Sequence, residues 1–267
     1  VILKKINFLC TPFDLEEISF LHKVLKLKYV KISSSDLDNY PMLFYAGQNF
    51  KKIFLSTGLA DLQKVNMALK VLSFAQKNKK FEKCFKRMNN YKKENYSSLA
   101  NKVVIFQCTS SYPCDESEAN LNVLQSYKEN YNLDIGFSDH TLGTELALVS
   151  VGFGCKYVEK HFTLNKKQKG PDHSASLNYD ELKYLSLALK KASVALGDYK
   201  KKITVSEKKN KKAVRKSYYF KKKVYKNSIL RFDDLIFKRP FTKNNSKKIF
   251  KLIGKKINKN KEINKAL

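Results

Sequence analysis

Short apolar runs recur at Ile6–Cys10, Tyr29–Ile32, Ile53–Leu55, Val103–Gln107, Ile135–Phe137 and Tyr157–Val158, and most gaps between them carry apolar residues at helical spacing. Runs of this length read as strands, and their alternation with helical patterns predicts a parallel α/β fold. The first gap opens at Asp14 with Glu17 three residues on, a capping-box start, and sets Leu15, Ile18, Leu21, Val24 and Leu25 along one side. His22 in that helix is expected at its surface or boundary. A later helix is predicted from about Asp180 to Leu196 on a stripe of Leu182, Leu185, Leu189 and Ala192, with Gly197 as its stop. Six strand–helix units are visible, and a closed barrel of this type needs eight.

The strand ends carry the chemistry. Thr11-Pro12 follows the first run, and Lys31 with Ser33, Ser34, Ser35 and Asp36 closes the second. Ser56-Thr57-Gly58 closes the third, and Cys108-Thr109-Ser110-Ser111-Tyr112-Pro113 the fourth. In parallel α/β folds the loops after the strands converge on the ligand, so hydroxyls, a lysine and backbone amides recurring there suit a phosphate or carboxylate. For any single Ser or Thr a helix cap is the readier explanation, and recurrence at successive strand ends weakens it. The last two runs end in His140 and His161, one helix apart, which predicts neighbouring strands with both imidazoles at one end. Such a pair suits a divalent, Mn²⁺-like Lewis acid, while a histidine at a strand end also serves as an ordinary hydrogen-bonding residue; spacing leaves both readings open. Asp139 and Glu159 are candidates for supporting carboxylates or plain strand residues, and Gly170-Pro171-Asp172-His173 for an acid–base pair or a turn.

Composition bounds the class. A chain of 267 residues can bury a large core plus a small second unit. It has no apolar run long enough for a bilayer and no signal-peptide core near Val1, so a soluble, cytoplasmic protein is expected. Cys10, Cys84, Cys108, Cys114 and Cys155 lack CxxC spacing, which argues against a disulfide framework or zinc site. The net charge of +29 is concentrated in residues 198–267, with 25 Lys+Arg against 5 Asp+Glu. Nucleic acid is the usual partner of such a tail, but arginine is scarce there, and an anionic small-molecule substrate fits better.

The strings FLCTPFDLEE, VKISSSDLDNYPML, FLSTGLADL, CTSSYP, IGFSDHTLGTELAL, VEKHFTL and GPDHSASLNYDEL resemble the sialic acid synthase family, which includes N-acetylneuraminate and legionaminate synthases. The resemblance extends through Arg215-Lys216-Ser217 and Lys238-Arg239-Pro240, which are similar to the family's small antifreeze-like domain. It implies condensation of phosphoenolpyruvate with an open-chain N-acetylated amino sugar, either N-acetylmannosamine or a 2,4-diacetamido-trideoxy mannose-type sugar, to a nine-carbon 2-keto acid and phosphate. By the same resemblance His140 and His161 would bind Mn²⁺ or Mg²⁺. Thr11, Lys31, Ser34, Ser56, Ser110 and Ser138 would hold phosphoenolpyruvate, and Tyr112 and Asp172 the sugar hydroxyls. Arg239, in a domain-swapped homodimer, would reach the N-acetyl group.

Where the sequence departs from the family, it sets further expectations. It starts at the family's third strand, implying a TIM barrel without its first two βα units and without the substrate-contacting glutamate, lysine and glutamine they carry. Asp36 stands where the family usually has glutamate, and Phe74–Lys102 reads as a surface insertion. The implied organisation is a partial barrel at 1–197, a linker at 198–212 and an antifreeze-like (SAF, β-clip) domain at 213–267, clipped at its end. A synthase is expected; the alternatives are an inactive remnant of one and, more weakly, a basic nucleic-acid-binding protein.

Overall fold

The structure is a computed structural model that describes residues 6–78, 80–82, 96–242 and 246–267. The chain divides into two compact units, Val1–Gly197 and Asp198–Leu267.

In the larger unit, β1 (Tyr29–Ile32), β2 (Lys52–Ser56), β3 (Val103–Cys108), β4 (Asp134–Asp139) and β5 (Tyr157–Lys160) form one parallel sheet in sequential order. Helix α1 (Leu15–Lys23) precedes β1; α2 (Tyr40–Asn49), α3 (Leu62–Ala75), α4 (Asn122–Tyr131) and α5 (Glu145–Gly152) connect successive strands, and α6 (Tyr179–Leu196) follows β5. Sequential order with helical crossovers is barrel-type winding. The sheet is also curled. Lys31 on β1 forms an ion pair with Glu159 on β5, and Lys52 on β2 donates to the Tyr157 hydroxyl on β5 at 2.7 Å. In a flat sheet the four strand spacings between β1 and β5 would cover about 19 Å, beyond the reach of any two side chains.

Strand alternation sorts the residues by face. Val30, Ile32, Ile53, Leu55, Ile105, Ile135 and Phe137 pack with Ile18, Leu43, Val65, Leu69, Leu72 and Leu124 of the helices into the main core. The concave face is filled low down by Phe54, Phe106 and Tyr157, with ring centroids 5.3–6.5 Å apart. A Cβ on Gly136 would lie 2.6–2.8 Å from the Phe106 ring, so glycine there makes room for this aromatic floor. Above the floor the concave residues turn polar.

Two expectations are corrected. Ile6–Cys10 is not a strand: one bond, Lys31 N–H to the Cys10 carbonyl at 3.1 Å, joins it to β1, and Ile6, Phe8 and Leu9 are exposed. An apolar run becomes a strand only with a ladder to pair into. The α1 stripe also extends past the helix, which ends at Lys23, and only Ile18 and Leu21 of it are buried. Its start holds: Asp14 accepts from the Glu17 amide at 2.7 Å. The late helix holds as well, with a capping box between Asn178 and Glu181 and Gly197 at φ 56° after it. About half of the expected insertion, residue 79 and residues 83–95, falls outside the described residues, as does Cys84. Its described ends are not surface segments: Phe74 and Ala75 at the end of α3, and Tyr96 and Leu99 of a 3₁₀ turn, are buried in the main core.

The smaller unit pairs β6 (Ser217–Phe220) antiparallel with β7 (Leu235–Lys238) over a core of Phe220, Val224, Leu230, Leu235, Ile249 and Ile257. Helix α8 (Ser246–Leu252) contributes Ile249. The stretch expected as a linker contains most of α7 (Val205–Val214), whose start is a capping box between Thr204 and Glu207. Among the described residues, no helix is long and apolar enough to cross a membrane.

Candidate active site

The polar end of the concave face is built by residues spaced two apart. Ser138 and His140 leave β4 on the same side, and Glu159 and His161 do so from β5. Glu159 pairs with Lys31 and accepts from the Ser138 hydroxyl at 2.9 Å, and Ser138 Oγ lies 3.3 Å from His140 Nε2. A continuous polar chain thus runs from the lysine of β1 to the first histidine.

His140 is buried and its orientation is fixed. Its Nδ1 lies 2.7 Å from the Thr109 carbonyl. Burial lowers its pKa, helped by His161, although the Thr109 carbonyl pulls the other way. A neutral ring that donates from Nδ1 keeps a lone pair on Nε2. The His161 ring stands 5.4 Å away, edge to face, and Tyr112 covers both at 4.2 Å from His140 and 5.4 Å from His161. Asp172 Oδ2 is 3.6 Å from His161 Nδ1, so the turn after β5 closes over the same spot. Burial raises the Tyr112 phenol's pKa, with further contributions from Cys108, Asp172 and Glu159.

A second cluster sits beside the first. Ser34 and Ser110 hydroxyls are 3.3 Å apart, and the Gly58 amide donates to Cys108 Sγ at 3.1 Å. A Cβ on Gly58 would fall 2.3 Å from Ser110 Oγ, 3.1 Å from Cys108 Sγ and 3.2 Å from Ser34 Oγ, so any side chain there would displace the Ser110 hydroxyl where three strand ends meet. Ser56, 3% exposed, has no hydrogen-bond partner for its hydroxyl. Its nearest polar neighbour is the Cys108 thiol, which also faces Lys31 and receives the Gly58 amide, and a buried hydroxyl without a full hydrogen bond at such a spot suits an anion. Burial raises the Cys108 pKa against the backbone amides of Thr57 and Gly58 and the charge of Lys31, keeping it a neutral thiol.

Two imidazoles with one tautomer fixed by a backbone carbonyl fit a divalent metal. Among the described residues no group of three or more His, Cys, Asp or Glu gathers at one point, so the pair offers two nitrogens and leaves the other positions to oxygen ligands.

Residues 3–201 match the NeuB family. The chain belongs to the NeuB family of sialic acid synthases. It is 39% identical over 259 residues to the N,N'-diacetyllegionaminic acid synthase of Campylobacter jejuni, covering 96% of this chain and 71% of that one. It is 29% identical to the human N-acetylneuraminate-9-phosphate synthase, over 94% of this chain and 64% of that one. Among solved structures it resembles the N-acetylneuraminic acid synthetase of Leptospira borgpetersenii in complex with citrate, with TM-score 0.60, 28% identity and coverage of 75% and 61%. The chain therefore spans roughly two thirds of the length of its relatives.

In this NeuB-family chain not every expected residue joins the cluster. Asp36 is held locally, accepting from Ser35 at 3.2 Å and Asn39 at 3.2 Å. Thr11 follows the Cys10 carbonyl that β1 binds, and no hydrogen bond ties its side chain to the anion donors. Arg239 lies in the smaller unit, exposed, its Nε donating to the Val214 carbonyl at 3.1 Å. Ser33 is a cap for the Ser34–Asp36 turn, as one reading of these serines allowed. Asp139 faces away from the histidines, paired with Lys160. The sequence marks Gly58 only as part of the Ser56-Thr57-Gly58 strand end, and does not pair Glu159 with Lys31. Strand period held the signal for Glu159, which precedes His161 by the same two residues that separate Ser138 from His140.

Proposed function

We propose that this chain condenses phosphoenolpyruvate with an N-acetylated amino sugar in its open-chain aldehyde form. A bond forms between C3 of phosphoenolpyruvate and the aldehyde carbon, whose oxygen takes up a proton; water adds at C2 and inorganic phosphate departs, leaving a nine-carbon 2-keto acid. The supporting observation is the meeting of Lys31, Ser34, Ser110, Ser138 and the bare Gly58 backbone beside His140 and His161 at one end of the sheet.

In this reading Lys31 and the hydroxyls, Ser56 included, hold the phosphate and carboxylate. Tyr112 and Asp172 orient the sugar over the histidines. His140 and His161 would hold Mn²⁺ or Mg²⁺, which when bound polarises the aldehyde carbonyl. A 2,4-diacetamido-trideoxy mannose-type sugar is favoured over N-acetylmannosamine, because the diacetyllegionaminic acid synthases of Campylobacter jejuni and Legionella pneumophila are 39% and 32% identical to this chain, against 29% for the human neuraminate-9-phosphate enzyme. An antifreeze-like nature for the smaller unit, and a domain-swapped homodimer in which Arg239 contacts the N-acetyl group, belong to the same proposal; particle mass in solution checks the dimer. Nothing in the described site favours the inactive-remnant reading.

The test is phosphate release from phosphoenolpyruvate with each sugar in turn, with and without Mn²⁺, beside His140→Ala. Release that needs sugar and metal, and is faster with the diacetamido sugar, is expected. No release from folded chain with either sugar would overturn the proposal.

A further inference from the structure

Directly behind the histidines, on the opposite face of the sheet, lies a closed polar knot. Asp139 and Lys160 are partners in register on β4 and β5. Their side chains are 0% and 3% exposed, with Lys160 Nζ 2.9 Å from Asp139 Oδ2. Thr141 completes the ring: its amide and hydroxyl donate to Asp139 Oδ1 at 2.9 and 2.7 Å, and its carbonyl accepts from Lys160 Nζ at 2.5 Å. The knot therefore grips the residue before His140, the residue after it and the residue before His161.

A buried ion pair of this kind is a poor source of stability, because desolvation of both charges offsets their attraction, and well-packed apolar residues often replace such a pair without loss. What it does supply is geometry. The Lys160 ammonium ties the end of β5 to the end of β4 through two contacts, an ion pair with Asp139 and a hydrogen bond to the Thr141 carbonyl, and strand alternation passes that restraint to the two rings on the other face. Ser138 and Glu159 orient the ring of His140 from the concave side, while the knot adds to the β4–β5 ladder a side-chain tie that reaches one residue past it, to Thr141.

We infer that Asp139 and Lys160 are positioning residues that hold the His140 and His161 imidazoles at their mutual spacing. The inference rests on the proposed reading of those histidines as a ligand pair, and it predicts that the knot can be replaced without unfolding the chain but not without loosening the rings. The pair acts through the backbone and touches no substrate.

The experiment compares wild type with Asp139→Leu/Lys160→Met and, should that variant not fold, with Asp139→Asn/Lys160→Met; Lys160→Arg serves as the conservative rescue. In metal-free protein, ring-proton cross-peaks of His140 with His161 and with Tyr112 are recorded by NMR, and Mn²⁺ affinity is then measured by electron paramagnetic resonance of the free ion. Loss of the cross-peaks in a folded double variant is expected, with Mn²⁺ binding about 10–100-fold weaker and both restored in Lys160→Arg. Unchanged cross-peaks in a folded double variant would overturn the inference whatever the affinity does. If wild type binds no Mn²⁺ while the cross-peaks are lost as expected, the metal reading fails and the positioning role stands.

Discussion

Lys31 and Glu159 sit on opposite edges of one five-stranded sheet and close an ion pair across its concave face. The pair places a cation where an anionic ligand is expected and then half-neutralises it with a carboxylate that also accepts from Ser138. Glu159 and an incoming phosphate or carboxylate compete for the same ammonium. Lys31→Met should weaken binding of inorganic phosphate by about tenfold to a hundredfold, the range for hydrogen bonds to charged groups. Glu159→Gln should tighten it. Titration calorimetry with phosphate separates the two, and equal weakening in both variants would refute the competition.

Gly58 tests the anion cradle without touching charge. A methyl group there meets only side-chain ends, Ser110 Oγ, Cys108 Sγ and Ser34 Oγ. Gly58→Ala should fold, with a melting temperature within about 4 °C of wild type, yet bind phosphate about tenfold more weakly because the hydroxyls are pushed apart. Melting curves and calorimetry on one preparation decide it.

Gly136 is the opposite case. The nearest atoms to an added Cβ are carbons of the Phe106 ring at 2.6–2.8 Å, and that ring is wedged between Phe54 and Tyr157. Gly136→Ala should lower stability by about 1–3 kcal/mol, the cost of overpacking a filled core. Urea denaturation followed by tyrosine fluorescence measures it.

Asp234 gives the smaller unit a pH signature. Burial works against its charged form, but the Arg231 amide at 2.8 Å and the Lys222 ammonium at 2.9 Å outweigh it and hold the carboxyl below its ordinary 3.8. A depressed folded pKa means stability that is complete above the unfolded value and is lost as pH falls through the folded one. Amide protection factors, which correct for the intrinsic slowing of exchange in acid, should fall in residues 217–238 below about pH 4, and Asp234→Asn should remove that dependence.

The thiols should divide by exposure. Burial pushes Cys155 up to about 11 and also raises Cys108 and Cys114, whereas Cys10 is half-buried beside β1. Alkylation at neutral pH, read by peptide mass spectrometry, should modify Cys10 before the other three; labelling of Cys155 first would contradict this packing.

The sequence by itself determined the periodic parts. Alternating apolar runs located β1 to β5 because a strand buried against helices must be apolar at regular intervals, and Asp14, Asn178 and Gly197 marked helix ends because caps depend on the nearest few residues. The two histidines were legible from their place after successive strands. Tertiary structure alone decided which strand ends meet. Ile6–Cys10 carries the pattern of a strand but lacks a ladder, and Ser33 and Ser34, adjacent in sequence, part into a turn cap and a neighbour of Ser110. Lys31 reaches Glu159 only because the sheet curls, and Gly58 stands against Ser110 because β2 and β3 pair in this register. Curvature is set by the packing of whole strands and helices on one another, so contacts that depend on it are written in no local stretch of the chain.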